Sequence, residues 1–369
     1  MNHDALTYQI AFSRIKGINR LNAEELLKRV GSEELFFTAS ESQLAAIMGS
    51  RHKFIEEGYR QSLLKEAVAE RMFVDNHNVK CLYFTGENYP TRLNDCDDAP
   101  LMLYTLGDTD LNNAHVISIV GTRHATPYGI DFINHLVEDL GKRLDNVIIV
   151  SGLAYGVDIA AHKAALRENV PTIAVFAHGL NTIYPAAHRA TAVDIIKKNG
   201  MLMTDYTSAD KIHKGNFLAR NRIVAGIADC VVVVESALKG GAMVTAKIAS
   251  AYNRDVFAVP GRVSDPYSAG CNALIANQQA CLISNAEDLI STMRWTAKPL
   301  EGTQAELFIE LTEEEQNIID FITQHPDATV NDIGVNLNIS SGSLMAKLID
   351  MEFKDLVTAL PGGRYAVTM

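Results

Sequence analysis

Val116-Ile117-Ser118-Ile119-Val120-Gly121-Thr122-Arg123-His124-Ala125-Thr126-Pro127 runs from an apolar stretch of strand length, through a glycine turn, to the start of a helix. Its first five residues do not alternate with polar ones, which is the pattern of a parallel strand buried on both faces. Thr126-Pro127 is an N-cap followed by a first-turn proline. The same grammar recurs on either side. Apolar runs at 147–150, 172–176, 201–204, 230–234 and 256–259 are separated by helical patterns starting at Val157, Ala187, Phe217 and Met243, and 79–84 leads into the series. Regular strand–helix alternation implies an α/β fold, a Rossmann-like, doubly wound and mainly parallel sheet.

Outward from this region the pattern changes. With 369 residues, two or three domains are expected at about 150 residues each. Residues 1–75 predict a helical domain, SAM- or helix-hairpin-helix-like, with segments at 5–15, 22–30, 41–48 and 53–71. Ser40-Glu41-Ser42-Gln43 is a capping box for the third. Ile15-Lys16-Gly17-Ile18-Asn19 fits a hairpin turn that sets backbone N–H groups against a phosphate, with Asn19 where a second glycine is usual. A helical bundle that only packs fits the same residues. The Rossmann-like domain is assigned to 76–295. A linker containing Pro299 and Gly302 spans 296–311, and a winged helix spans 312–369. The last opens on the capping box Thr312-Glu313-Glu314-Glu315 and closes on two strands around Gly362-Gly363.

Composition excludes several classes. Apolar residues make up 47% and charged residues 21%, a mix that rules out wholesale disorder. The apolar runs are strand-sized, far from the ~18 residues of a membrane span. Met1-Asn2-His3-Asp4 does not open a secretory signal, so a cytoplasmic location is expected. Five cysteines with no CxxC pair predict free thiols and no structural zinc. The net charge of -11 argues, as one number, against nucleic acid, but the charge is uneven. Residues 296–369 carry -8, whereas 211–223 carry +4 from Lys211, Lys214, Arg220 and Arg222 with no acid. Screening makes the local charge count for more than the distant charge.

Ligands of a doubly wound sheet sit beyond the carboxyl ends of its strands. The residues there are Gly121-Thr122-Arg123, Ser151-Gly152, the loop with Lys214, Gly215, Phe217, Arg220, Asn221 and Arg222, and Lys239-Gly240-Gly241. Glycine turns at helix starts let backbone N–H groups approach an anion. Cations around an aromatic ring suit a single-stranded nucleic acid, whose phosphates meet the charges while a base stacks on the ring. Each residue also has a plainer role. Phe217 fits a core position, and Arg220 and Arg222, two apart, face different sides of a helix. Asp158 and His162, four apart, resemble a metal pair without a third ligand, so an ion pair or a satisfied histidine is favoured. Glu235 fits either a base or a cap. No G-x-G-x-x-G, P-loop or G-x-S-x-G is present, so no nicotinamide or other cofactor is expected.

Ile119-Val120-Gly121-Thr122-Arg123 with Tyr128-Gly129 forms part of a larger set of motifs. The others are Val150 through Asp158 with Ala161-His162, Phe217-Leu218-Ala219-Arg220-Asn221-Arg222, Ala258-Val259-Pro260-Gly261, and Gly270 through Ile275. Together they resemble the DNA processing protein A (DprA/Smf) family over about 79–290. The resemblance implies a cytoplasmic, non-enzymatic single-stranded DNA-binding protein of DNA uptake and natural transformation. It would protect incoming strands, load the recombinase RecA and pair as a homodimer through the Rossmann-like domain. It also implies DNA contacts at Arg123, Lys214 and Phe217, with Gly152, Gly240 and Gly241 lining the pocket. The chain departs from the family at Gly240-Gly241, where Ser-Gly is usual, and at Asp355, where Gly is common. The acidic winged helix argues against duplex binding there. The alternative is a nucleotide-processing enzyme, similar to the phosphoribohydrolases with their P-G-G-x-G-T-x-x-E motif. Aligned on Gly240-Gly241, that motif puts Val244 at the threonine and Lys247 at the catalytic glutamate, so the general acid/base is missing.

Overall fold

A computed structural model describes residues 3–49, 52–298, 311–354, 356–360 and 362–367. It divides into two compact units, Met1–Pro299 and Leu300–Met369.

The first unit begins with helices α1 (Ala5–Ser13), α2 (Arg20–Val30), α3 (Glu33–Thr38), α4 (Glu41–Met48) and α5 (Glu57–Asn76). Their starts are chemically marked. Asp4, Asn19 and Ser32 accept from the N–H three residues on, and Ser40 and Gln43 form the expected reciprocal box. Asn19 therefore has its own task as the cap of α2, which accounts for its place in the hairpin turn. The buried Arg60 of α5 donates to the carbonyls of Ile55, Phe36 and Phe37 and ties α5 to α3.

The chain then builds the sheet: β1 (Lys80–Tyr83), β2 (Met102–Leu106), β3 (His115–Val120), α6 (Pro127–Arg143), β4 (Val147–Ser151), α7 (Val157–Arg167), β5 (Thr172–Val175), α8 (Arg189–Lys197), β6 (Met201–Thr204), α9 (Lys214–Gly226), β7 (Cys230–Val233), α10 (Gly241–Ala251), β8 (Asp255–Ala258), α11 (Ala269–Ala276), β9 (Cys281–Leu282) and α12 (Ala286–Met293). The strand order is β1-β2-β6-β5-β4-β3-β7-β8-β9. From β6 to β9 every pair is parallel, while β2 runs antiparallel to β6 and β1 to β2. Winding proceeds one way from β3 through β4 and β5 to β6, then resumes on the other side of β3 at β7. This is a doubly wound sheet with its switch point between β3 and β7.

Burial explains the composition of the strands. Residues of β4, β5, β6 and β7 are all buried. Ile117 and Ile119 pack with Ile133 and Leu136 of α6, Ala161 of α7 and Leu289 of α12. Val116 and Val120 belong to the opposite core, with Ile223 of α9 and Ala246 of α10. Phe12, Phe36 and Leu64 of the N-terminal helices join that same core, so residues 1–75 and 76–295 fold as parts of one unit. The start of the expected linker also belongs here: beside Trp295, which stacks on His115, the Lys298 N–H donates to the Arg143 carbonyl. Residues 299–310 of that expected linker, and Asp355, lie outside the described residues.

The second unit holds α13 (Glu313–Gln324), α14 (Val330–Leu337), α15 (Ser341–Phe353) and the antiparallel pair β10 (Val357–Leu360) and β11 (Arg364–Val367), the topology of a winged helix. Ile318, Ile333, Leu344, Leu348 and Met351 form its core. The Thr312–Glu315 box is present, and Lys354 donates to Glu315 at 2.8 Å. Hydrogen bonds from Lys354 and Thr312 hold the Glu315 carboxyl down at about 2. All five cysteines are free, and no helix among the described residues is long and apolar enough to cross a membrane.

The start of β3 is fixed by Arg92, which grips Asp229 through Nε and Nη2 at 2.6 and 2.9 Å and donates to the carbonyls of Leu111 and Ala114. Asp229 in turn accepts from the Val116 N–H. Removing one partner of a largely desolvated pair leaves the other uncompensated. Arg92→Ala is expected to lower unfolding stability by about 3 kcal/mol in a urea titration, the low end for such pairs.

Candidate nucleic-acid interface

A cavity of about 340 Å³ opens at the switch point. It is bounded by the turn after β3, the start of α7, the face of α9, and the turn from β7 into α10. Of the residues singled out from sequence, Gly121, Thr122, Arg123, Gly152, Phe217, Arg220, Asn221, Lys239, Gly240 and Gly241 line it. Arg123 and Lys239 are exposed, and the starts of α7 and α10 are near the same opening. This brings two helix starts and two cations to one place.

The β3 turn is built on Gly156. Its φ is +76°, and a Cβ there would lie 2.2 Å from the Thr122 carbonyl oxygen. Only glycine accommodates both constraints. The Val157 N–H then donates to the Thr122 carbonyl, locking the β3 turn to the start of α7. Glu235 accepts from the N–H and hydroxyl of Thr126 and so anchors the start of α6. Its carboxylate thus braces the N-cap of α6 and not the turn that follows its own strand.

Arg220 forms the floor. It is 5% exposed, and Nη1 donates to the carbonyls of Gly152 and Val175. A Cβ on Gly152 would lie 2.3 Å from Arg220 Nη2, so the guanidinium occupies the space that a side chain would take. Burial lowers the Arg220 guanidinium from its ordinary value, opposed first by Asp158. Burial likewise raises Asp158, opposed first by Arg220. His162 lies beneath with Nδ1 2.8 Å from the Thr172 hydroxyl, and burial holds its imidazole down at about 3. The i, i+4 pair is thus a buried support, and no His/Cys/Asp/Glu group fit for a metal occurs among the described residues.

The four cations of the α9 region separate into two kinds. Arg220 is internal. Arg222 pairs with Asp205 and donates to the Asp98 carbonyl, away from the cavity. Lys211 and Lys214 stay exposed. The local +4 therefore offers two surface cations, joined by Arg123 and Lys239. Ser151 is buried and donates to the Ile119 carbonyl, bracing adjacent strand ends. Gly215 is exposed on the first turn of α9, its N–H donating to His213. Lys214, Gly215, Ser151 and Arg222 do not line the cavity.

Above the floor, the Arg123 guanidinium lies over the Phe217 ring, 5.9 Å from its centroid, within cation–π reach. Tyr184 stands beside the same ring, centroids 5.7 Å apart. His124 and Tyr267, which also line the cavity, form a second ring pair at 5.9 Å and 28°. Tyr184 follows the β5 strand end, where the sequence places ligand-facing residues, whereas His124 and Tyr267 carry no signal of their own in the sequence. Tyr267 is in the turn before α11, where nothing in the strand pattern marks it.

The fold and site define a doubly wound α/β protein with a cationic, aromatic-bearing cavity at its switch point. Comparison with known proteins gives that class a family. The family model described as "DNA recombination-mediator protein A" matches residues 80–294, and the chain belongs to the DNA processing protein A family. It is 30% identical over 404 residues to Protein Smf of Synechocystis sp., covering 99% of each chain. It is similar to the X-ray structure of DprA from Streptococcus pneumoniae, with TM-score 0.65 and 27% identity over 79% of this chain and 98% of that one. It is also similar to a structure of DNA processing protein A from Helicobacter pylori, titled for its single-stranded DNA binding mode. There the TM-score is 0.52 and the identity 34%, over 58% of this chain and 95% of that one.

Two outcomes follow from the floor. Gly152→Ala forces Arg220 from its acceptors and is expected to cost about 1–3 kcal/mol in thermal unfolding, the scale of overpacking a tight site. The His162 imidazole should stay neutral through pH 5 in NMR titration. Its folded value lies below the ordinary value near 6.5, so the stability it contributes is full above that value and declines as pH falls toward 3.

Proposed function

We propose that this chain binds single-stranded DNA at the switch-point cavity without catalysing a reaction on it. The observation that carries the reading is the Arg123–Phe217 stack at the mouth of a cavity rimmed by Lys239 and helix starts. A base can stack on Phe217 or Tyr184 while phosphates meet Arg123, Lys239, Lys214 and Lys211. Support comes from the family membership and from the Helicobacter pylori relative's single-stranded DNA binding mode. Within this reading the protein works in the cytoplasm in DNA uptake and natural transformation, protects incoming strands, hands them to the recombinase RecA, and acts as a homodimer through the Rossmann-like region. The helical, Rossmann-like and winged-helix segments at 1–75, 76–295 and 312–369 would divide these tasks. The acidic winged helix suits protein contact better than duplex DNA.

The competing nucleotide-cleaving reaction lacks support from α10. Val244 and Lys247, which replace the threonine and glutamate of that chemistry, are both exposed there. Glu235 is engaged with Thr126.

Fluorescence anisotropy of labelled oligo-dT at three salt concentrations, with a duplex control, tests the proposal. Arg123→Ala and Lys214→Ala should each weaken binding and flatten the log–log salt slope by about 0.7. Phe217→Ala should cost about 1–3 kcal/mol with little change in slope. Equal binding by all three variants would remove the site assignment, and release of free base from nucleotides would favour the enzyme.

A further inference from the structure

The segment 205–213, between β6 and α9, delivers Lys211 and the first turn of α9 to the site, yet it has no regular secondary structure. Its order comes from a series of bonds. Thr207 donates through its N–H and hydroxyl to Asp210 Oδ2 at 2.8 and 2.9 Å, closing a turn. Asn181 donates to the Ser208 carbonyl at 2.8 Å. Two further holds come from the N-terminal helices. Glu70 of α5, 4% exposed, accepts from the Ser208 N–H at 2.8 Å and its hydroxyl at 2.5 Å. Arg14, at the end of α1, donates through both terminal nitrogens to Asp210 at 3.0 and 2.8 Å. A two-point guanidinium–carboxylate pair fixes orientation as well as distance.

We propose that Arg14 and Glu70 are positioning residues for the DNA surface. The N-terminal helices clamp Ser208 and Asp210, and so hold Lys211, Lys214 and Phe217 in the arrangement that receives the strand. This rests on the DNA-binding reading above. It gives residues 1–75 a part in binding that requires no contact with DNA. Releasing the clamp lowers the populated fraction of the competent loop, and the apparent Kd rises by the inverse of that fraction. The number of phosphates neutralised stays the same, so the salt slope does not move even though Arg14→Ala removes a cation.

The test uses the full chain as Arg14→Ala, Glu70→Ala and Glu70→Gln. Amide hydrogen exchange across 205–216 without DNA is paired with oligo-dT anisotropy across salt. Both alanine variants should exchange faster in 205–213 and bind about threefold to tenfold more weakly at the wild-type slope. Glu70→Gln should behave as wild type, because its amide oxygen still accepts from Ser208. A flattened slope for Arg14→Ala would make Arg14 a phosphate contact and overturn the clamp. Unchanged exchange, or faster exchange with unchanged affinity, would also overturn it. Should Glu70→Ala unfold, Arg14→Ala decides alone, its side chain being 30% exposed. Wild type that fails to bind oligo-dT removes the DNA reading and this role with it, whereas wild type that binds alongside unaltered alanine variants removes the clamp alone.

Discussion

Burying a guanidinium costs several kcal/mol unless its donors find acceptors. Arg220 finds them for Nη1 in the carbonyls of Gly152 and Val175, at the ends of β4 and β5, while its buried Nε has no partner among the described residues. The bonds seat α9 across two strand ends and require that Gly152 carry no side chain. One helical turn before Arg220, Phe217 then faces the opening, and Arg123 from the β3 turn lies on its ring. Asp158 adds a compensating field, and His162 stays uncharged under the same cation. The buried arginine is thus the reference from which the aromatic and cationic surface is measured.

That arrangement reconciles an acidic chain with a locally cationic face. Arg220 and Arg222 are consumed in holding the structure, while Lys211, Lys214, Arg123 and Lys239 remain outward. At physiological salt the Debye length is about 8 Å, so the acids elsewhere contribute little to the potential at the cavity.

Much of the fold is legible in local chemistry. The buried parallel strands, the Thr126-Pro127 helix start and the two capping boxes at Ser40 and Thr312 follow from short-range rules, and the structure contains all of them. What escapes is short, antiparallel or distant. β2 (Met102–Leu106) interrupts the strand–helix alternation by folding back beside β6, and β9 has only two residues, too few to make a pattern. α3 is a six-residue helix between the Gly31 turn and the Ala39-Ser40 link to α4, too short to show a period. α9 begins at Lys214, three residues before the apolar pattern suggests, because a lysine and a glycine in a first turn oppose the usual start signals. The inward course of Arg220 is invisible because its acceptors are backbone carbonyls 45 and 68 positions away. The glycines and Arg123 could be found because strand ends in a doubly wound sheet converge whatever the details. His124 and Tyr267 reach the site through loops that no periodicity records.

The borders of the sheet have a consequence of another kind. One edge is β1, four residues beginning at a lysine that is ion-paired to Asp108, and the other is the two-residue β9. Long flat edges invite strand-by-strand growth into fibrils or swapped assemblies, and short or charged ones discourage it. A nine-stranded hydrophobic sheet thereby presents poor templates for propagation. A chain that joins this one is steered toward its helices and loops and away from the short sheet edges.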